Sequence, residues 1–146
     1  MGDRTMDRMT DEQARAFLEQ RSRPATFASV RPDGRPDAVP TWYTVEGSDI
    51  VFTKGHTTVK AANLRHDRRV TMVVQDPEPP YDYVSIEGDA EVIDDLELCR
   101  PISTLLGAKY MGADRAAEFG RRNSVEGELV VRIKPTRFQG FSRVAG

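Results

Sequence analysis

The chain has 146 residues, 38% of them hydrophobic and 30% charged, with a formal net charge of -2. That length predicts one domain around one core. No apolar run reaches the ~18 residues that cross a bilayer, and a slightly acidic chain lacks the basic excess of a general nucleic-acid binder. The lone cysteine, Cys99, excludes an internal disulfide and a multi-cysteine metal site, and its neighbours "LELCRPI" read as a half-buried helix holding a structural thiol. The charged start "MGDRTMDRMTDEQ" is unlike a secretory signal, so a cytoplasmic location is expected.

In chain order, "TDEQARAFLEQRSR" predicts an amphipathic helix over about 10–22, with Thr10 as N-cap and apolar spacing at Ala14, Phe17 and Leu18. It should end before Pro24, because the residue preceding a proline avoids helical geometry. "ATFASVR", "RPDAVPTWYTV" and "DIVFTK" then read as three strands of an antiparallel meander, joined by "PDG" and "EGSD" turns. Pro36 and Pro40 place the second of these at a sheet edge or at a bulge.

"TTVKAANLRHD" predicts a short helix capped by Thr57 or Thr58, with Val59, Ala62 and Leu64 on its covered side. "RVTMVVQ" and "YVSIEGDAEVI" are strands, and Gly88 in the second suggests a bulge or bend. Helical character returns over about 95–122, with breaks expected near Pro101, Gly107 and Gly112. "GELVVRIKPTRFQGF" is a last strand. Barrel residues are thus expected over about 25–93 and 126–141, in one α+β or small β-barrel domain over 1–146.

Familiar catalytic signatures are missing: no GxGxxG after a strand, no GxxxxGK[ST], HExxH, CxxC or GxSxG. His56 and His66 are the two histidines, ten residues apart, and make a poor metal pair. No metal is expected. The junction "TKGHTTVK" remains. A helix N-terminus there would bring unsatisfied N–H groups and a partial positive charge to one point. Thr53, Thr57 and Thr58 add hydroxyls, while Lys54 and Lys60 add ammonium groups, the composition of a phosphate cradle. A plain helix cap beside two solvated lysines fits the same residues. Likewise "VPTWYTV" and "YDY" serve equally as ordinary packing.

Together these segments resemble a known family. "RPDGRPDAVP", "TVKAANLRHDRRV" and "YVSIEGDAEV", in that order and spacing over about residues 25–92, resemble the pyridoxamine 5′-phosphate oxidase-like split β-barrel family. The likeness is closer to the branch that uses the deazaflavin coenzyme F420. It implies a mainly β, six-stranded antiparallel split β-barrel with flanking short helices. It also implies a homodimer with two cofactor sites between the subunits. The cofactor phosphate would lie on Thr53, Lys54, Thr58 and Lys60, with Asn63 adjacent. Val39, Pro40, Thr41 and Trp42 would line the ring, and Tyr81 and Tyr83 would reach in from the partner. Many similar proteins carry an arginine where this chain has Thr58.

The implied activity is hydride transfer from reduced coenzyme F420 to an unsaturated small organic acceptor, with a proton from solvent or from Tyr43, Tyr81 or Tyr83. Arg65, Arg68 and Arg69 are candidates for the cofactor's anionic tail. The alternatives are an FMN-dependent oxidase or reductase of the same fold, and a non-catalytic module that binds coenzyme F420 or haem, with His56 the histidine near the site.

Overall fold

Two hairpins and the crossing between them set the shape of the sheet. The computed structural model describes residues 6–55 and 58–145. Its elements are β1 (Asp7–Arg8), α1 (Asp11–Gln20), β2 (Ala25–Val30), β3 (Pro36–Thr41), β4 (Thr44–Glu46), β5 (Asp49–Gly55), α2 (Val59–His66), β6 (Arg69–Gln75), β7 (Tyr83–Ile93), α3 (Leu96–Met111), α4 (Ala116–Arg122) and β8 (Glu128–Ser142), with a 3-10 turn at Ala113–Arg115.

The first helix follows its sequence. Thr10 Oγ1 accepts the Gln13 N–H at 3.1 Å while Gln13 Oε1 accepts the Thr10 N–H at 2.9 Å, a reciprocal cap. Ala14, Phe17 and Leu18 are buried at helical spacing. At the β2–β3 turn, Gly34 takes the positive φ of 88° expected of "PDG".

The expected second strand divides. Pro36–Thr41 pairs with β2, whereas Thr44–Glu46 pairs with β5, and the sheet order is β3-β2-β6-β7-β8-β5-β4 with β1 on β8. There are therefore eight strands among the described residues, not six, in an open antiparallel sheet rather than a closed hydrogen-bonded barrel. Its two edges, β3 and β4, are joined only through Trp42 and Tyr43. The physical cause lies at those residues. Pro40 has no N–H to donate, which suits β3 to an edge. Tyr43 then turns its ring fully into the core, where its hydroxyl donates to the Leu18 carbonyl at 2.7 Å.

Gly88 marks a register shift, with Glu87 opposite Arg137 and Gly88 opposite Pro135, so Thr136 is the extra residue. A Cβ on Gly88 would lie 2.4 Å from the Lys134 carbonyl oxygen, so only glycine fits. Phe27 and Phe52 meet edge to face at 5.2 Å inside the sheet. On the other side of β5, α3 buries Cys99, Ile102 and Leu106. Burial pushes the Cys99 thiol up to about 11, with the Glu128 charge adding to the effect. The thiol is inert, as a structural cysteine should be.

The breaks expected at Pro101 and Gly107 do not occur. Helix α3 runs through both and stops at Gly112, whose φ is 101°. Its buried face outweighs the ~3 kcal/mol that an interior proline costs. Gly107 instead lets α4 approach, since a Cβ there would lie 2.7 Å from the Phe119 Cβ. No helix among the described residues is long and apolar enough to cross a membrane.

Helix α2 departs most from its pattern. Its covered side is Lys60, Ala61, Asn63 and Leu64, while Val59 is 59% exposed. Lys60 is 3% exposed, and its Nζ lies 4.8 Å above the Phe27 ring centroid and 4.9 Å above that of Phe52. It has no hydrogen-bond partner among the described residues. Burial first, then the Lys54 charge, lowers its pKa from 10.5 to about 7, partly opposed by Asp37. The unfolded chain thus holds a proton that the folded chain lacks between about pH 7 and 10.5. The cost of charging Lys60 is full below that window and disappears above it, so its contribution to stability improves as pH rises. Lys60→Met should raise unfolding free energy by on the order of 2 kcal/mol at pH 6. Urea melts at pH 6 and pH 9.5 check this: the gain shrinks at the higher pH, and a pH-independent gain refutes the titration account.

Candidate functional site

A cleft of about 520 Å³ opens where β3, β5, the start of α2, α3 and the start of β8 meet. Its lining is of two kinds. Pro24, Pro40, Trp42 and Leu106 are apolar. The Trp42 indole stacks on the Tyr110 ring at 4.9 Å with 5° between planes, and Phe119 tilts against it at 5.7 Å. Tyr110 is itself fixed, its hydroxyl donating to the Arg23 carbonyl at 2.7 Å and pushed up to about 12 by burial. Lys109 completes the support by donating to the Tyr43 carbonyl at 2.9 Å. Burial lowers that ammonium to about 8. The aromatic wall is therefore held rigid before any ligand arrives.

The rest of the lining is mostly polar. Thr53, Lys54 and Gly55 end β5, and Thr58 opens α2. Thr58 Oγ1 accepts the Ala61 N–H at 3.2 Å and donates its own proton to the Gly55 carbonyl at 2.8 Å. It caps the helix. Helix geometry leaves the N–H groups of Val59 and Lys60 without an intrahelical acceptor. The first turn carries no acidic residue, and Arg65 and His66 lie in the last, so the dipole at the N-terminus is not neutralised from within the helix. Lys54, between Thr53 and Gly55, also lines the cleft.

Thr53 has a second role. Ser103 Oγ donates to the Asn123 carbonyl at 3.0 Å, so the 3.1 Å contact between Thr53 Oγ1 and Ser103 Oγ places the shared proton on Thr53. The Thr53 oxygen thus presents lone pairs rather than a donor.

Of the residues expected to form a site, Pro40, Thr41, Trp42, Thr53, Lys54 and Thr58 line this one cleft. Others lie elsewhere. Val39 pairs with Phe27 within the β2–β3 ladder. Lys60 points to the core side of α2, because capping at Thr58 sets the helix with Val59 outward. Asn63 is 2% exposed and donates to Ser29 Oγ at 3.1 Å and to Asp37 Oδ2 at 3.5 Å, tying α2 to the β2–β3 hairpin. Tyr81, at φ 64°, is exposed, and Tyr83 rests against Phe141 at 5.4 Å; neither lines the cleft within one chain. Tyr43 is enclosed and donates to Leu18, and burial holds its hydroxyl well above the ordinary range, so it is no proton source for the cleft. Arg69 is engaged by Asp67 at 2.7 Å. His56 and Thr57 lie outside the described residues.

Sequence reasoning missed Pro24, Leu106, Asn123 and Glu128, which also line the cleft. Each is distant in sequence from the β5–α2 junction, and no local pattern marks it.

The family model described as pyridoxamine 5′-phosphate oxidase matches residues 10–141. The chain belongs to that family. No curated protein matches it. Among solved structures, it is similar to the conserved hypothetical protein Rv2991 from Mycobacterium tuberculosis, with 26% identity, a TM-score of 0.80, and coverage of 92% of this chain and 86% of that one. It is also similar to an F420 reductase, with 27% identity, a TM-score of 0.68, and coverage of 84% and 94%. An FAD-binding protein from Mesorhizobium loti, at 18% identity, TM-score 0.71 and coverage of 94% and 97%, shares the fold.

Because the Thr58 hydroxyl closes α2 onto Gly55, Thr58→Ala should cost about 1 kcal/mol of stability, whereas Thr58→Ser stays near wild type. Equilibrium urea unfolding of the three proteins separates these outcomes.

Proposed function

We propose that the protein is an oxidoreductase that uses coenzyme F420, passing a hydride from the reduced cofactor to an unsaturated small organic acceptor. One observation carries the reading: a single cleft is lined both by Trp42, stacked on Tyr110, and by Lys54 and the Thr58 cap at the start of α2. A ligand with a flat ring at one end and a phosphate at the other fits that division. The 27% identity to an F420 reductase supports the deazaflavin over other ring cofactors. The more distant FAD-binding protein bears on the fold alone.

In this reading Pro40, Thr41, Trp42 and Leu106 hold the ring and exclude water from one side of it. Lys54 and the free N–H groups at the start of α2 hold the phosphate. The cofactor, when bound, supplies the hydride from its C5 position. The chain's residues bind, orient and desolvate, and no described cleft residue is an obvious proton donor to the acceptor, so solvent supplies that proton. Two copies complete the site, with Tyr81 and Tyr83 of each chain covering the cleft of the other.

Trp42 is the only tryptophan and lies on the cleft wall, so its emission reports occupancy directly. Titration with coenzyme F420 should quench it saturably, and FMN should bind more weakly. Lys54→Ala should weaken the coenzyme about ten- to a hundredfold, the value of a charge-assisted phosphate contact. Stronger binding of FMN would move the protein to flavin chemistry on the same cleft. Quenching by neither ligand would refute the reading.

A further inference from the structure

Lys60 is the second residue of α2, so its backbone belongs to the helix start at the cleft while its side chain is buried in the core. Its Nζ stands over the Phe27 and Phe52 rings and meets no acceptor among the described residues. Phe52 and Lys54 are two apart in β5, so their side chains leave the same face of the strand. Phe52 carries Lys60 and Lys54 lines the cleft, and the Lys54 charge opposes a charge on Lys60. Helix α2 packs on β2, β5 and β7. Strand β2 has no titratable residue, and on β7 Glu87, Asp89 and Glu91 lie on the exposed face, with Val84, Ile86 and Ala90 turned inward. Asp37 on β3 favours the Lys60 charge, but its carboxylate is already shared between Arg31 and Asn63, each at 3.5 Å. Within the helix, Arg65 and His66 lie in the last turn.

An ammonium enclosed in this way answers to small changes in the local field. An anion beside Lys54 changes that field in one direction: it offsets the Lys54 charge and adds its own attraction. We propose that Lys60 senses occupancy of the cleft, a phosphate seated at the start of α2 drawing a proton from solvent onto Lys60 Nζ. The inference rests on the cofactor reading, which supplies the anion, and deepens it. Linkage then fixes how affinity depends on pH. Below the midpoint of the free protein, near pH 7, Lys60 is charged with or without ligand and affinity is highest. Between the free and bound midpoints binding must take up a proton, so affinity falls as pH rises. Above both it levels off at a lower value. By reciprocity, each unit by which the anion raises the midpoint is about a tenfold difference between the two plateaus.

The lysines of the chain are Lys54, Lys60, Lys109 and Lys134, few enough for NMR of isotope-labelled lysine to follow each side chain, with Lys60→Met assigning the Lys60 signal. The full-length protein is titrated with pH, alone and saturated with coenzyme F420. The coenzyme should raise the Lys60 midpoint by about one unit. Correspondingly, Trp42 quenching should show the coenzyme bound about tenfold more weakly at pH 9.5 than at pH 6, a difference that Lys60→Met abolishes without abolishing binding. A second variant needs no ligand: Lys54→Ala removes the opposing charge and should by itself raise the Lys60 midpoint. Bound coenzyme that leaves the midpoint in place overturns the sensor and spares the cofactor reading. An unchanged midpoint in Lys54→Ala, or the same pH dependence of binding in wild type and Lys60→Met, also overturns it. If Trp42 emission shows no binding of the coenzyme, the cofactor reading falls and the sensor, left without its anion, falls with it.

Discussion

The passage of the chain from one sheet edge to the other, through Trp42 and Tyr43, is the constraint on which the rest of the structure depends. β3 and β4 are consecutive in sequence yet lie at opposite ends of the strand order. Two residues must bridge them, and both are fastened. Tyr43 is anchored in the core by the Leu18 carbonyl, and its own carbonyl receives the Lys109 ammonium. That ammonium also sits 3.7 Å over the Tyr43 ring, so attraction to the ring face adds to the hydrogen bond. Tying α1, the crossing and α3 together at one point makes the crossing rigid. Trp42, its neighbour, is thereby presented to the cleft in one orientation, stacked on Tyr110.

The same rigidity gives the cleft its polarity. The aromatic end is fixed by the crossing, and the polar end by the Thr58 cap, which draws the start of α2 onto the last residue of β5. Asn63 holds the far side of α2 to the β2–β3 hairpin through Ser29 and Asp37. The two walls thus belong to one framework. A site preorganised in this way loses little entropy on binding a ligand of matching length.

The interior placement of Lys60 shows the opposing force. An ammonium over two phenylalanine rings gains some attraction from them but forfeits hydration, and with no hydrogen-bond partner among the described residues its pKa falls from 10.5 to about 7. Lys54, a half-buried residue at the strand end, keeps its place on the cleft wall. The two lysines look equivalent in sequence, and only one of them reaches the cleft.

Local patterns were enough to read much of this protein from its sequence. The capping box at Thr10, the glycine turn at Gly34, the edge character of a strand with Pro36 and Pro40, and the bulge at Gly88 each depend on neighbouring residues and backbone geometry. So does the family likeness, and with it the grouping of Trp42, Thr53, Lys54 and Thr58, which lie close together along the chain. Tertiary structure alone decided the rest. The split of one apparent strand into β3 and β4 depended on the core demanding Tyr43. The facing of Lys60 and Asn63 depended on the rotation of α2, set by its cap and by the packing of Leu64. Glu128 reached the cleft because β8 pairs with β5, a contact between segments some 75 residues apart, and Asn123 because its carbonyl accepts from Ser103 on α3. Sequence records what each segment prefers by itself, whereas such long-range pairing is settled only when competing segments share one core.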